Sequence, residues 1–260
     1  MAKTDVSKNL NKPFARVIES NVVDSSSPLH WLALALKDFA RAPAIALAYG
    51  ALFSIIPIAI CLFVISSSNH LVILPATIAF ALIGPAFATG LYDVAWELEK
   101  GHTPTFRHSL KSMFRNPVGE WGFAIVLFIL MVAWTRVAAL IHVLYPSATN
   151  PTFEELLAFL TLGSIAGACF LVVVFGISAF TPQIVVERRV DIMTAVVSSL
   201  KAVHKNPKAM FSWGLMIICL VGFSILTLGF GFIVTMPILA FASWHAYIAV
   251  IKTKRPRSYE

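Results

Sequence analysis

Long apolar runs alternating with short polar, basic ones organise this chain. Six runs are long enough to cross a bilayer, which takes roughly 20 apolar residues for about 30 Å of hydrocarbon. They cover residues 43–66, 71–96, 119–145, 156–186, 209–228 and 232–251. The fourth exceeds a straight crossing, which predicts a tilt or a continuation beyond the membrane. Between the last two runs stand only Gly229, Phe230 and Gly231, the composition of a tight hairpin. A second periodicity precedes three of the runs. Leu29, Leu32, Leu36 and Phe39 recur at helical spacing, as do Phe106, Leu110, Met113 and Phe114, and then Ile192, Val196, Leu200 and Val203. Each set predicts a short amphipathic helix lying at the membrane surface or packed on the bundle's end. Ser27 with Pro28 suits the start of the first, and Asp191 can cap the third.

These helices share a motif. ALKDFARAP, SLKSMFRNP and SLKAVHKNP align without gaps, so that Lys37, Lys111 and Lys201 each precede a proline by six residues. Arg41, Arg115 and Lys205 precede it by two, Asn116 and Asn206 by one, and the prolines are Pro43, Pro117 and Pro207. A span follows every proline, which ends the interfacial helix and lets the chain turn upright. The expected architecture is therefore all-α, a polytopic bundle of six transmembrane helices built from three repeats of interfacial helix plus transmembrane hairpin. Residues 1–28 form a polar tail with no apolar signal core, expected to be disordered; 29–252 form the membrane domain and 253–260 a basic tail.

Composition agrees: 58% of the residues are hydrophobic and 13% charged, outside the range of soluble domains. The charge of +7 could suggest nucleic acid, but its placement gives another meaning. Nineteen of the 20 Lys and Arg lie in four segments that six crossings put on one side. The opposite loops carry no Lys or Arg, and their only charges are Glu154 and Glu155. This is the positive-inside pattern, with both termini cytoplasmic. The expected partners are the bilayer and its anionic phospholipid headgroups, with other membrane proteins as candidates and no nucleic acid. Cys61, Cys169 and Cys219 fall singly in separate spans and read as small apolar residues.

Polar groups inside the apolar runs are the candidate functional residues. The second span of each unit carries a proline, Pro85, Pro182 or Pro237, and eight residues on stand Asp93 in the first unit and His245 in the third. Equivalent units would place these two at similar depth as a pair, joined by Tyr92, Trp244 and Tyr247; the alternative is an interfacial belt. Arg136 lies about 21 Å along the third span, in the outer half of the hydrocarbon, with Trp134 and His142 nearby. Its candidate acceptors are Glu154, Glu155 and carbonyls freed by Pro57 and Pro75. It is either a pin between helices or an anion-attracting residue in a cavity open to the outside. Gly163, Ser164, Gly167 and Ala168 give the fourth span small positions for close helix contact, within the fold or between copies.

The runs GPAFATGLYD, AWTRVAALIHVLY, NPKAMFSW and MPILAFASWHAYIAV resemble segments of an uncharacterised bacterial family, domain-of-unknown-function family 2189. The likeness spans about Trp31 to Lys252. It rests on Trp134 with Arg136, on Asn206, Pro207 and Trp213, and on Trp244, His245 and Tyr247. It implies a six-span protein of the bacterial inner membrane and brings no activity. A more distant likeness, to the membrane domain attached to some glycerophosphodiester phosphodiesterases, concerns architecture alone.

No motif for catalysis is present: no Gly-x-Ser-x-Gly, no His-Glu-x-x-His, no phosphate-binding Gly-rich loop and no paired intramembrane carboxylates. His142 and His245 lie roughly 20 Å apart in depth by helix rise, too far to share a haem. The sequence predicts no catalytic residues, no cofactor and no metal. It favours a non-enzymatic scaffold, accessory or lipid-interacting factor, with a transporter or channel for a small solute, anionic if Arg136 lines its path, as the alternative.

Overall fold

A computed structural model of the chain describes residues 17–67, 73–146, 151–188 and 190–252. Of the expected tails, residues 1–16 of the polar tail 1–28 and all of 253–260, with parts of the loops near Ser68 and Ser147, lie outside the described residues. Residues 17–28 differ from the expected disorder, since they bond the bundle and open the first helix. Ten helices follow in chain order: α1 (Ser27–Arg41), α2 (Pro43–Ser67), α3 (Ile73–Glu99), α4 (Phe106–Ser112), α5 (Pro117–His142), α6 (Phe153–Ser178), α7 (Thr181–Arg188), α8 (Ile192–Lys205), α9 (Pro207–Leu226) and α10 (Phe232–Val250). Among the described residues the fold is helical, and five stretches are long and apolar enough to cross a membrane: α2, α5, α6 continued into α7, α9 and α10. The expected span 71–96 falls on α3, a helix of 27 residues, but its first two positions are not among the described residues.

The prolines of the motif act as helix starters. Pro43, Pro117 and Pro207 are the first residues of α2, α5 and α9, where the missing N–H costs nothing and the fixed φ suits the helix. α1 and α8 stop one residue short of it; α4 is only seven residues long, and Met113–Asn116 run irregularly to Pro117. Caps set the other ends. Thr105 accepts from the His108 N–H, and Asp191 accepts from the Thr194 N–H at 2.8 Å. That bond holds the Asp191 carboxyl below its usual range.

The bundle is built around α10. Of its apolar window 72% is buried, against none for α6, so α10 is the central post and α6 the most peripheral span. α10 is apolar on every side, as a fully enclosed helix must be. It takes α1, α2, α3 and α9 as neighbours. Gly50 lets α2 come close, because a Cβ there would overlap the Ile233 carbonyl. The turn into α10 follows the expected glycines: Gly229 has φ 93°, open to glycine alone at low cost, and its N–H bonds the Ser224 carbonyl at 2.9 Å. Ser224 and Thr235 then join the two helices through their hydroxyls at 2.6 Å.

The amphipathic stripes divide their roles. On α1 the buried face is Pro28, Trp31, Leu34, Ala35 and Asp38, one step round from the expected stripe. Of that stripe Leu29 and Leu36 are exposed, and Leu32 and Phe39 are half-buried. Of the second stripe Phe106 and Leu110 on α4 are exposed, and beyond its end Met113 is buried while Phe114 is exposed; on α8 Val196 is buried while Leu200 is exposed. The helices thus pack one side on the bundle and leave apolar groups outside.

The long fourth span resolves as a break. α6 ends at Ser178 and α7 begins at Thr181, because Pro182 has no N–H to continue the ladder. Ser199 of α8 enters the gap: it accepts from the Phe180 N–H at 3.1 Å and donates to the Gly176 carbonyl at 2.8 Å. A side chain inserted into the i to i−4 ladder is a recognised cause of such a bend. Ser109 of α4 similarly donates to the Gly90 carbonyl of α3 at 2.6 Å.

Residues 17–26 run across the end of the bundle that carries α1, α4 and α8, hereafter the basic end. Ile18 N–H donates to Ser198, Lys205 to the Ser20 carbonyl, and Val23 N–H to the Asn206 side chain. Asn21 N–H bonds Val250 O at 2.7 Å and Lys252 N–H bonds Glu19 O at 3.0 Å. Replacing Ser199 by Ala should lower stability by about 1–3 kcal/mol, the cost of orphaning buried backbone groups. A thermal melt in detergent checks this, with exposed Ser164→Ala as the control that should not move.

Candidate functional site

The aromatic and polar residues singled out at the basic end surround Trp244, which is fully buried. Its ring stacks on Tyr92 at 6.0 Å and 22°, and lies 5.9 Å from Trp96 and 5.4 Å from Tyr247. The hub joins α3 to α10, and α7 adds the polar half. Gln183 Nε2 donates to the Tyr92 hydroxyl at 3.3 Å, while the Tyr247 hydroxyl donates to Glu187. Glu187 lies 3.8 Å from Arg188, whose guanidinium reaches the Lys252 carbonyl. Tyr92, Trp244 and Tyr247 therefore meet as the sequence suggests.

Asp93 and His245 do not pair with each other, a correction to the expected arrangement. His245 Nε2 sits 2.7 Å from Asp38 of α1, with both side chains 8% exposed. Asp93, on α3, bonds His108 Nδ1 at 2.7 Å and Arg115 Nη2 at 2.9 Å. Arg115 and Lys100 both lie over the Trp96 ring, at 5.5 and 4.1 Å. Each of the two groups thus turns to an interfacial helix, or the strand of chain after it, rather than across to the other span. A signal for Asp38 existed in the sequence: it continues the helical series Trp31, Leu34, Ala35. A carboxylate on a buried face calls for a buried partner.

The motif residues take different duties. Lys37, Lys111 and Lys201 are exposed, as is Arg41. Arg115 serves Asp93, and Lys205 holds Ser20. Asn116 accepts from Gly119 N–H and donates to the Val185 carbonyl at 3.0 Å, tying α5 to α7. Asn206 donates to the carbonyls of Asn21 and Ala202, both at 3.0 Å.

Arg136 stands on the exposed side of α5. Among the described residues it makes no hydrogen bond or ion pair, so the expected pin is not formed there. Glu155 is taken up in a capping box with Thr152. Pro57 packs beside Gly229 in the turn before α10, and the carbonyl that Pro75 would free lies outside the described residues. Trp134 stacks on Phe170 at 5.1 Å, and His142 stacks on Tyr145 at 5.5 Å. The small residues of α6 serve this hairpin: positions beside Gly163 and Gly167 are filled by Ile141 and Trp134 of α5.

One feature that sequence reading passed over lies near the basic end of α5. A partly open cavity of about 40 Å³ is lined by Pro85, Ala86 and Thr89 of α3, Glu120 and Phe123 of α5, and Pro182 and Val185 of α7. Glu120 Oε1 is buried with no hydrogen-bond partner. The only signal was a lone carboxylate in the first turn of a largely apolar helix.

Helical spans enclosing polar groups in pairs define a multi-pass integral membrane protein. Residues 73–187 match the family model described as "Predicted integral membrane protein (DUF2189)", the family that the sequence resembles. No curated protein and no solved structure matches the chain.

Breaking the closed pair by Asp38→Ala should cost about 3–5 kcal/mol, because His245 is left buried without its carboxylate; reduced yield and a lower melting temperature in detergent are the readouts. Arg136→Leu should have the opposite effect, easing insertion by up to about 3 kcal/mol, visible as equal or higher yield and melting temperature.

Proposed function

We propose that the protein is a non-enzymatic scaffold or lipid-interacting factor of the bacterial inner membrane, with six spans, three structural repeats and both termini in the cytoplasm. The observation that carries this reading is the shared orientation of the motif. At its first three positions the small residue is buried in every copy: Ala35, Ser109 and Ser199 are 0–1% exposed. The leucine that follows is exposed in every copy, at 51%, 36% and 40% for Leu36, Leu110 and Leu200, and the lysine after it is exposed too. Leucine beside lysine, presented outward three times at one end, suits the boundary between acyl chains and anionic headgroups.

The packing order supports the repeats. α4 rests on α3, α8 on α6, and α1 returns to α10, so each interfacial helix sits on the second span of the preceding unit and the last unit closes on the first. The paired termini support six crossings. Segments 19–21 and 250–252 bond each other at one end, and chain ends on the same side require an even number of spans, with α3 as the sixth. The reading assigns 29–252 to the membrane domain, between a polar tail, whose residues 17–26 bond the bundle, and a basic tail. Transport of an anion past Arg136 gains no support: Arg136 is about 24 Å along α5 from the Glu120 cavity by helix rise, and on the outer flank.

The test compares nanodiscs of zwitterionic and anionic phospholipid. The native protein should melt higher in the anionic discs. Lys37→Gln, Lys111→Gln and Lys201→Gln together should remove most of that gain, on the order of 1 kcal/mol per lysine. No dependence on lipid charge, or uptake of a solute by proteoliposomes, overturns the reading.

A further inference from the structure

We propose that the cavity between α3, α5 and α7 is a binding site for one small monovalent cation, held by Glu120. The case rests on the polar atoms of its wall, which offer lone pairs and no hydrogen. Glu120 Oε1 is buried and accepts nothing from the protein. Thr89 has already given its hydroxyl proton to the Pro85 carbonyl at 3.0 Å, so its oxygen remains only as an acceptor. Pro85 and Pro182, on facing walls, have no N–H to contribute. The rest of the lining is Ala86, Phe123 and Val185. With Glu120 half-buried and Oε1 sealed, its ionised form calls for a positive charge beside it unless the carboxyl takes up a proton, since a buried charge without a partner costs several kcal/mol.

Among the described residues the protein's own cations near this end are occupied elsewhere or exposed. On α3 the charged groups near this end are Asp93, bound to His108 and Arg115, Glu97, bound to Lys100 and His102, and the acid Glu99. On α7 Arg188 is engaged by Glu187 and the Lys252 carbonyl. On α8, which also touches α5, Asp191 caps its own helix, Lys205 holds Ser20, and Lys201 and His204 are exposed. None of them reaches Glu120.

Size and ligand chemistry narrow the guest. A water needs about 10–15 Å³ by this measure, so about 40 Å³ admits an ion with one or two waters and excludes an organic solute. One carboxylate and one hydroxyl are a poor set for Mg²⁺ or Ca²⁺, which ask for more oxygen ligands and usually more charge. Among the described residues no group of three or more His, Cys, Asp or Glu side chains could hold a metal ion. Sodium, potassium or ammonium, completing their shell with water, match the single charge. The site is independent of the headgroup contacts proposed above.

The test uses the full chain in nanodiscs of zwitterionic lipid, which removes the effect of anionic headgroups. Melting temperature is followed against NaCl, KCl and NH4Cl at constant ionic strength, with choline chloride, whose cation is too large, as the balance. At least one small cation should raise the melting temperature with saturation. Glu120→Gln should abolish the rise, while Thr89→Val should move half-saturation upward by about tenfold, near 1.4 kcal/mol. If Glu120→Gln does not assemble, the native salt series and Thr89→Val still decide the matter. Equal melting in all four salts overturns the proposal, and so does an undiminished response in Glu120→Gln. A response to pH alone, unchanged by the cation, also overturns it and assigns the charge balance at Glu120 to a proton.

Discussion

Where no water can reach, a carboxylate has to be met by a group of the chain itself, and the basic end of this bundle is arranged around meeting two of them. Asp38 finds His245, and Asp93 finds His108 and Arg115. Both contacts cross from an interfacial segment to a span, so they set the height and rotation of α1 on α10 and of the α4 region on α3. The Asp38 contact spans 207 positions of sequence and closes the last part of the chain on the first. Breaking either pair would leave a buried charge whose cost exceeds anything an exposed ion pair could return. The strap at 17–26 and the pairing of 19–21 with 250–252 reinforce a closure that the buried pair already defines.

Small side chains allow the same closure to be tight. Ala35, Ser109 and Ser199 let each interfacial helix approach a span closely, and the two serines also bond span carbonyls. In lipid there is little hydrophobic gain from joining two apolar helices, so close packing and internal hydrogen bonds have to hold them. Ser199 illustrates the trade. Pro182 forbids a continuous helix, and the hydroxyl fills the interruption between Gly176 and Phe180, so α7 can turn toward Tyr92 and Tyr247.

Local pattern made much of this readable. Runs of apolar residues, the prolines that start α2, α5 and α9, the cap at Asp191 and the Gly229 turn all depend on near neighbours in sequence. The amphipathic stripe of α1 was less readable, because Leu29 and Leu36 look like core residues until the alternative face of Trp31, Leu34 and Asp38 is weighed with its carboxylate included. The partner of His245 depends on which unit lies beside which, and no spacing within one unit encodes that. The prolines stand differently to the serine contacts: Ser109 bonds Gly90, five residues after Pro85, whereas Ser199 bonds Gly176, six residues before Pro182.

The burial of the spans gives Arg136 its context. α10 is enclosed by its neighbours, whereas α5 and α6 hang at the edge with only 6% and none of their apolar windows buried. A charge on α10 would have required a partner inside the protein. A charge on the outer face of α5 does not, because a long side chain within about 9 Å of the helix end can carry its head toward the membrane surface while its stem stays in hydrocarbon. Glu120 is the contrasting case at the other end of the same helix: its carboxylate is short, faces inward and has an oxygen sealed from solvent. The acid and the arginine of α5 thus sit at opposite ends of the helix and face opposite ways, and the inward one is where the fold leaves a charge for something else to balance.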